Sequence, residues 1–228
     1  MTSPLLSAKG LGLKTEERWL IKNLDLHLHP GSFVAITGSS GSGKTTLLRA
    51  LAGEIVATEG TVTNKLDCPN RLAMIFQDLQ LADGATAVTN VLGGALSRYS
   101  FLSTLWRFPS EEQRQAKLLL SEFGLSEKAN QWTSTLSRGE RQRVAACRTL
   151  LTRPLLLLAD EPVSSLDPTL ADQVLTHLKD EISAHNGCVV CALHNDDQVS
   201  KFADMVIHLD PSNPHGWKME NNESHLKE

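Results

Sequence analysis

Gly38-Ser-Ser-Gly-Ser-Gly-Lys-Thr45 is the stretch on which the reading of this chain turns. It fits the pattern G-x-x-x-x-G-K-[ST], and its flanks suit that pattern. The apolar run Phe33-Val-Ala-Ile-Thr37 precedes it, and a helical stretch containing Leu47, Leu48 and Leu51 follows. The residue types suit a loop that holds a polyphosphate. Glycines let backbone N–H groups wrap closely around phosphates, and the following helix adds the positive end of its dipole. Lys44 brings a mobile cation to the terminal phosphates, and the Thr45 hydroxyl is a candidate ligand for Mg2+.

Hydrolysis of a bound nucleotide further needs a carboxylate for the metal and a base for water. Leu155-Leu-Leu-Leu-Ala-Asp160-Glu161 is an apolar strand that ends in two adjacent carboxylates, on the sheet edge where ligands sit in open parallel sheets. Asp160 is expected to hold Mg2+ and Glu161 to polarise the attacking water. Alone, a strand ending in Asp-Glu is an ordinary terminus; beside the phosphate loop it reads as a site.

The rest of the chain alternates short apolar runs with amphipathic stretches. Leu72–Phe76, Cys188–Leu193 and Met205–Leu209 join the two runs above as strands apolar on both faces, which suits an α/β sheet covered on both sides by helices. Ser110 and Gln113 are spaced as a capping box ahead of Ala116, Leu119, Leu120 and Phe123, with Gly124 as terminator. Asp167-Pro168 supplies an N-cap and a proline at the first helical position, after which Leu170, Val174, Leu178 and Ile182 recur along one face. Between Gln77 and Pro154 helical patterns replace strands, which predicts a helical insert. From residue 211 to 228 the polar composition predicts a tail that adds little to the core, with Trp217 a candidate to dock.

The 228 residues are 41% hydrophobic and 21% charged, which is enough for one large domain or a domain with an insert. The net charge of −4 provides no overall basic field for nucleic acid or an anionic membrane. Met1–Gly10 lacks the features of a secretory signal and no apolar run reaches spanning length, so the chain is expected to stay in the cytoplasm with its four cysteines reduced. Cys188 and Cys191 stand three apart in a strand, so their side chains point to opposite faces and do not share a metal. His27 and His29 share a face but lack a third ligand nearby.

On these motifs the chain resembles an ATP-binding cassette (ABC) ATPase over nearly its whole length. The resemblance implies a P-loop NTPase core with a mostly parallel sheet, an antiparallel β portion near the N-terminus and an inserted helical subdomain. It implies one nucleotide-binding domain, with 1–77 and 153–210 forming the core, 78–152 the helical subdomain and 211–228 the polar tail. Gly38, Ser39, Ser40, Gly41, Ser42, Gly43, Lys44, Thr45 and Thr46 would then bind ATP, with Mg2+ held by Thr45, Gln77 and Asp160. Gln77 matches the family's glutamine after a strand, Leu136-Ser-Arg-Gly-Glu140 its signature, Ser164–Asp167 the loop after the acidic pair, and His194 its switch histidine. Glu161, His194 and Gln77 are accordingly the candidate catalytic residues.

Ser137 and Glu140 also form a capping box on their own reading, so a helix starting near Arg138 would present an anion site at its N-terminus. In the family that end, here Ser137 and Gly139, faces the γ-phosphate held by a second copy in a head-to-tail dimer. The sequence departs from the family at two places. Arg138 stands where glycine is usual, and either crowds the opposite nucleotide or adds a phosphate contact. Thr15 stands near the position of an adenine-stacking aromatic, and Trp19, a few residues later, either takes that role or packs in the core.

A lone cassette implies separate membrane permease subunits, docking around Gln77 to Leu92, which would hold the chain on the inner face of the cell membrane. A solute-binding protein would complete an importer, and no nucleic-acid partner is implied. The insert from Asp78 to Trp106 and the segment Asp160–Pro168 most resemble phosphonate importers, while Glu140-Arg-Gln-Arg-Val144 also resembles cassettes of lipoprotein release or efflux. A P-loop small-molecule kinase is the alternative from another class, with no use for the signature helix or His194. A cassette working on DNA or ribosomes would carry coiled coils, zinc modules or tandem cassettes. Against a degenerate cassette stand Lys44, Asp160, Glu161 and His194.

Overall fold

The computed structural model describes residues 3–67, 71–99 and 108–222. Cys68, the end of the expected insert at Trp106 and the tail 223–228 lie outside these residues.

Five strands run parallel: β3 (Phe33–Gly38), β5 (Leu72–Ile75), β6 (Leu156–Asp160), β7 (Cys188–Ala192) and β8 (Met205–Leu209). With β9 (Trp217–Asn221) added antiparallel, the order across the sheet is β5-β6-β7-β3-β8-β9. A second sheet, β2-β1-β4, is antiparallel and built from β1 (Leu6–Lys14), β2 (Trp19–Leu28) and β4 (Glu59–Asn64).

Side-chain alternation along the parallel strands divides the interior into two cores. Leu156 and Leu158 of β6 and Cys188 and Val190 of β7 face helix α1 (Lys44–Leu51) and the antiparallel sheet. Leu157, Ala159, Val189 and Cys191 face the opposite layer of helices. Cys188 and Cys191 therefore lie on opposite sides of one strand, both buried, and burial pushes both thiols well above the ordinary cysteine range. Each fully buried leucine in these layers contributes roughly 1.5–3 kcal/mol relative to exposure, so both faces of β6 hold the site-bearing strand in place.

Between β5 and β6 come α2 (Ala87–Leu92), a 3₁₀ segment Gly93–Arg98, α3 (Ser110–Glu122) and α4 (Arg138–Leu151). Helices α5 (Pro168–Ala184) and α6 (Asp196–Phe202) follow β6 and β7. The Asp167 side chain accepts from Leu170 N at 3.0 Å with Pro168 at the first position of α5, and Ala171, Val174, Leu175, Leu178 and Ile182 are buried.

At α3 the expected cap is corrected. The helix forms and Gly124 closes it in the left-handed region at φ 67°, but no side chain caps its start. Gln113 Nε2 instead donates to Phe108 O at 2.7 Å, because Pro109 before the helix fixes the backbone that a serine cap would have shaped.

The polar tail is a second correction. Residues 217–221 form β9, Trp217 Nε1 donates to Lys22 O at 2.9 Å, and the Asn222 amide donates to Ala203 O at 2.8 Å. An edge strand needs only one apolar face, so Trp217 and Met219 suffice to seat it while Lys218 and Glu220 face solvent.

Candidate active site

The loop between β3 and α1 is shaped by three glycines with positive φ: Gly38 at 140°, Gly41 at 75° and Gly43 at 109°. At Gly38 a Cβ would stand 2.5 Å from Leu209 O and 2.7 Å from Ser42 Oγ, so both conformation and space exclude a side chain. Ser42 Oγ is buried without a hydrogen-bond partner. Lys44 is only 6% exposed, and its ammonium donates to Gly38 O at 2.9 Å and Ser39 O at 3.2 Å, folded over the loop that carries it.

Thr45 Oγ1 donates to Asp160 Oδ2 at 2.7 Å, which joins the first turn of α1 to the end of β6. Burial pushes the Asp160 carboxyl above its usual range; the Thr45 hydrogen bond opposes this, and the neighbouring Glu161 charge adds to it. Strand alternation alone would send Asp160 and Glu161 to opposite faces. Glu161 adopts φ 52°, a left-handed conformation uncommon for a side-chain-bearing residue, and the chain turns so that both carboxylates reach the same region. Glu161 Oε1 lies 2.5 Å from His194 Nε2, at the start of the loop after β7.

Ser40, Gly41, Gly43, Lys44, Thr45, Thr46, Gln77 and Glu161 line one cleft of about 620 Å³. Its far wall is Thr15, Glu16, Glu17, Arg18 and Leu20, and Arg18 Nη2 donates to Gly41 O at 2.8 Å across the mouth. Trp19 does not line this cleft. Its part-buried ring lies beneath the Lys14 and Lys22 ammonium groups, 5.8 and 5.5 Å from the centroid, and belongs to neither core cluster.

The donor set of Thr45, Gln77 and Asp160 is hydroxyl, amide oxygen and carboxylate. Such hard oxygen ligands, with a single carboxylate, suit a Mg2+ ion that completes its shell with phosphate and water. Among the described residues no group of three or more His, Cys, Asp or Glu stands together as an all-protein cage.

Ser137 and Gly139 are not among the residues lining this cleft. Ser137 caps α4: Glu140 N donates to Ser137 Oγ at 3.2 Å, and Ser137 N donates to Glu140 Oε2 at 2.8 Å. That bond holds the Glu140 carboxyl below its usual range. A Cβ on Gly139 would lie 2.9 Å from Leu166 Cδ2 and 3.3 Å from Ser165 O, so glycine permits the signature turn to lie against the loop after Glu161. Arg138, with Thr45, Gln77 and Asp160, lines a second depression of about 370 Å³.

Two residues of α4 escaped sequence reasoning. Gln142, 3% exposed, donates to Ser164 Oγ at 3.1 Å and Glu161 O at 3.4 Å and accepts from Ser165 N at 3.1 Å. Arg148 donates to Leu79 O and Gln80 O. For Arg148 the available signal was a charged residue on the stripe of Val144, Cys147 and Leu151; Gln142 carried none.

A family model described as ABC transporter matches residues 21–164. The chain is 38% identical over 200 residues to the phosphonates import ATP-binding protein PhnC of Hydrogenovibrio crunogenus, covering 83% of this chain and 74% of that one. It is likewise 38% identical over 226 residues to PhnC of Bdellovibrio bacteriovorus, covering 92% and 86%. An ATP-binding cassette solved as a dimer in a post-hydrolysis state, bound to ADP and Pi, shares the fold with a TM-score of 0.80. Its identity is 28%, over 95% of this chain and 98% of that one.

Proposed function

Because this chain belongs to the ABC transporter family, as an ATPase using ATP and Mg2+, we propose that it drives an importer of phosphonate or a similar small oxyanion. The observation that carries the catalytic reading is the chain Thr45–Asp160–Glu161–His194, which joins the phosphate-loop cleft, lined by Thr45 and Glu161, to the loops after two parallel strands. In this reading the amides of Gly38–Thr46 and the Lys44 ammonium hold the triphosphate. Thr45, Gln77 and Asp160 would hold Mg2+, which would supply positive charge to the phosphate oxygens.

Glu161 accepts a proton from the attacking water as the water oxygen bonds to the γ-phosphorus and the bond to the β–γ bridging oxygen breaks. His194 holds Glu161 in place and contacts the γ-phosphate when the site closes. Closure takes a second copy, head to tail, whose Ser137 and Gly139 face this copy's nucleotide through the N-terminus of α4. The segment 78–152 acts as a helical subdomain that carries this signature within one nucleotide-binding domain.

Separate permease subunits provide the membrane path, a reading that the import ATP-binding relatives support; no helix among the described residues is long and apolar enough to span a bilayer. They seat around Gln77 to Leu92, next to a groove lined by Leu72, Met74, Gly93, Leu96 and Arg148, where Leu96 is half exposed. The chain then works on the cytoplasmic face, with a solute-binding protein delivering cargo from outside. Family membership sets aside the small-molecule kinase, and the import relatives favour uptake over lipoprotein release or efflux. The experiment is ATP turnover of the complex isolated from membranes and reconstituted with its solute-binding protein. Stimulation by an alkyl phosphonate supports the reading, and stimulation only by a different solute class contradicts it.

A further inference from the structure

Gln77 hangs from the end of β5, and the chain just after it adopts a conformation that its residues disfavour. Leu79 and Gln80 both lie in the left-handed region, at φ 60° and 46°, although neither is glycine and Leu79 is buried. Such a pair persists where surrounding contacts impose it. Backbone bonds close the turn, with Leu79 N donating to Phe76 O at 3.0 Å and Gln80 N to Asp78 O at 2.7 Å, and one side chain grips its carbonyls: Arg148 Nη1 donates to Gln80 O at 2.6 Å and Nη2 to Leu79 O at 2.8 Å. A planar guanidinium can hold two consecutive carbonyls in this way, whereas a lysine ammonium has no matching fork.

The helix that carries Arg148 makes further contacts along its length. Its first turn is the signature cap at Ser137, its Arg141 pairs with Asp83 at 2.9 Å beyond the strained pair, and its Gln142 grips the backbone around Glu161. The loop bearing Gln77 and the loop bearing Glu161 are thus referenced to one rigid element.

We propose that Arg148 is a positioning residue for the ATPase reaction: its fork on Leu79 O and Gln80 O imposes the left-handed pair that sets Gln77 in the cleft. The inference rests on the reading of Gln77 as a site residue.

The test is steady-state ATP turnover of the purified full chain with Arg148→Met, Arg148→Lys, Gln77→Ala and the double variant Arg148→Met with Gln80→Gly, each checked for folding by circular dichroism. Arg148→Met is expected to lower kcat roughly ten- to a hundredfold with KM for Mg-ATP within about twofold of the parent. Arg148→Lys should fall between. Glycine adopts positive φ without strain, so Gln80→Gly should recover part of the kcat lost in Arg148→Met. A parental kcat in Arg148→Met overturns the proposal, as does a joint loss of kcat, affinity and fold with no recovery from Gln80→Gly. If Gln77→Ala is slow while Arg148→Met is not, only this inference fails. If Gln77→Ala turns over like the parent, the reading of Gln77 fails and the inference falls with it.

Discussion

His194 Nε2 and Glu161 Oε1 lie 2.5 Å apart, a hydrogen bond that joins the loops after two adjacent parallel strands, β6 and β7. The histidine is half exposed, whereas the glutamate is 21% exposed, so the imidazole is the more accessible member of the pair. His194→Ala is therefore expected to lower ATP turnover by about 10²–10³-fold while nucleotide affinity stays within about twofold. Turnover and equilibrium binding of a fluorescent ATP analogue check this together. Equal weakening of ADP and ATP binding would assign the histidine to the fold instead.

Asp160 combines a buried carboxyl with a raised pKa. Its folded form holds a proton more readily than the unfolded chain does, so its ionisation costs stability as pH rises from the ordinary carboxylate range through the raised value. Asp160→Asn removes that cost and keeps an oxygen for the Thr45 hydroxyl. The substitution should raise the melting temperature of the nucleotide-free chain at neutral pH by about 2–4 °C. Mg2+-dependent turnover should fall by about a hundredfold or more. Thermal melts and metal titrations of activity measure the two effects, and an unchanged Mg2+ response would remove Asp160 from the metal site.

Glu112 is a buried polar tie within the helical segment. Its side chain is 3% exposed and accepts from Arg98 Nη2 at 2.7 Å and Tyr99 Oη at 3.0 Å, with Arg153 at 3.7 Å. Burial alone would raise its pKa, but the Arg98 and Tyr99 hydrogen bonds, with the Arg98 and Arg153 charges, hold it below the usual range. A depressed folded pKa contributes stability above the unfolded value of about 4.3, and that stability is lost as pH falls through the folded pKa. Glu112→Ala should destabilise by about 2–3 kcal/mol at neutral pH, with the difference from the parent shrinking toward pH 3. Urea denaturation across pH tests the slope as well as the size.

Glu161, Asp160 and the Gly38–Thr45 loop were legible in the sequence because their chemistry is local. Spacing places glycines, lysine and threonine at the mouth of one strand, and an apolar run delivers two carboxylates at the end of another. The caps at Ser137 and Asp167 were legible for the same reason. Gln77 and His194 were singled out only through resemblance, since a lone glutamine or histidine after a strand has no distinctive local pattern.

The antiparallel strands β1, β2 and β4 gave weak signals of their own. Val62 is the one residue of β4 that is not exposed, and irregular pairing along β1 interrupts the alternation that marks a strand. Gln142 and Arg148 act on residues 19 to 69 positions away, so their roles depend on the packing of α4 against two loops.

The most direct test of the central claim is Glu161→Gln, which keeps the shape of the base and removes its ability to take a proton. With Mg-ATP, sedimentation velocity and nucleotide analysis should show a dimer that retains uncleaved ATP, with turnover lowered by about 10²–10⁴-fold. A variant that remains monomeric and hydrolyses ATP at the parental rate would contradict the account.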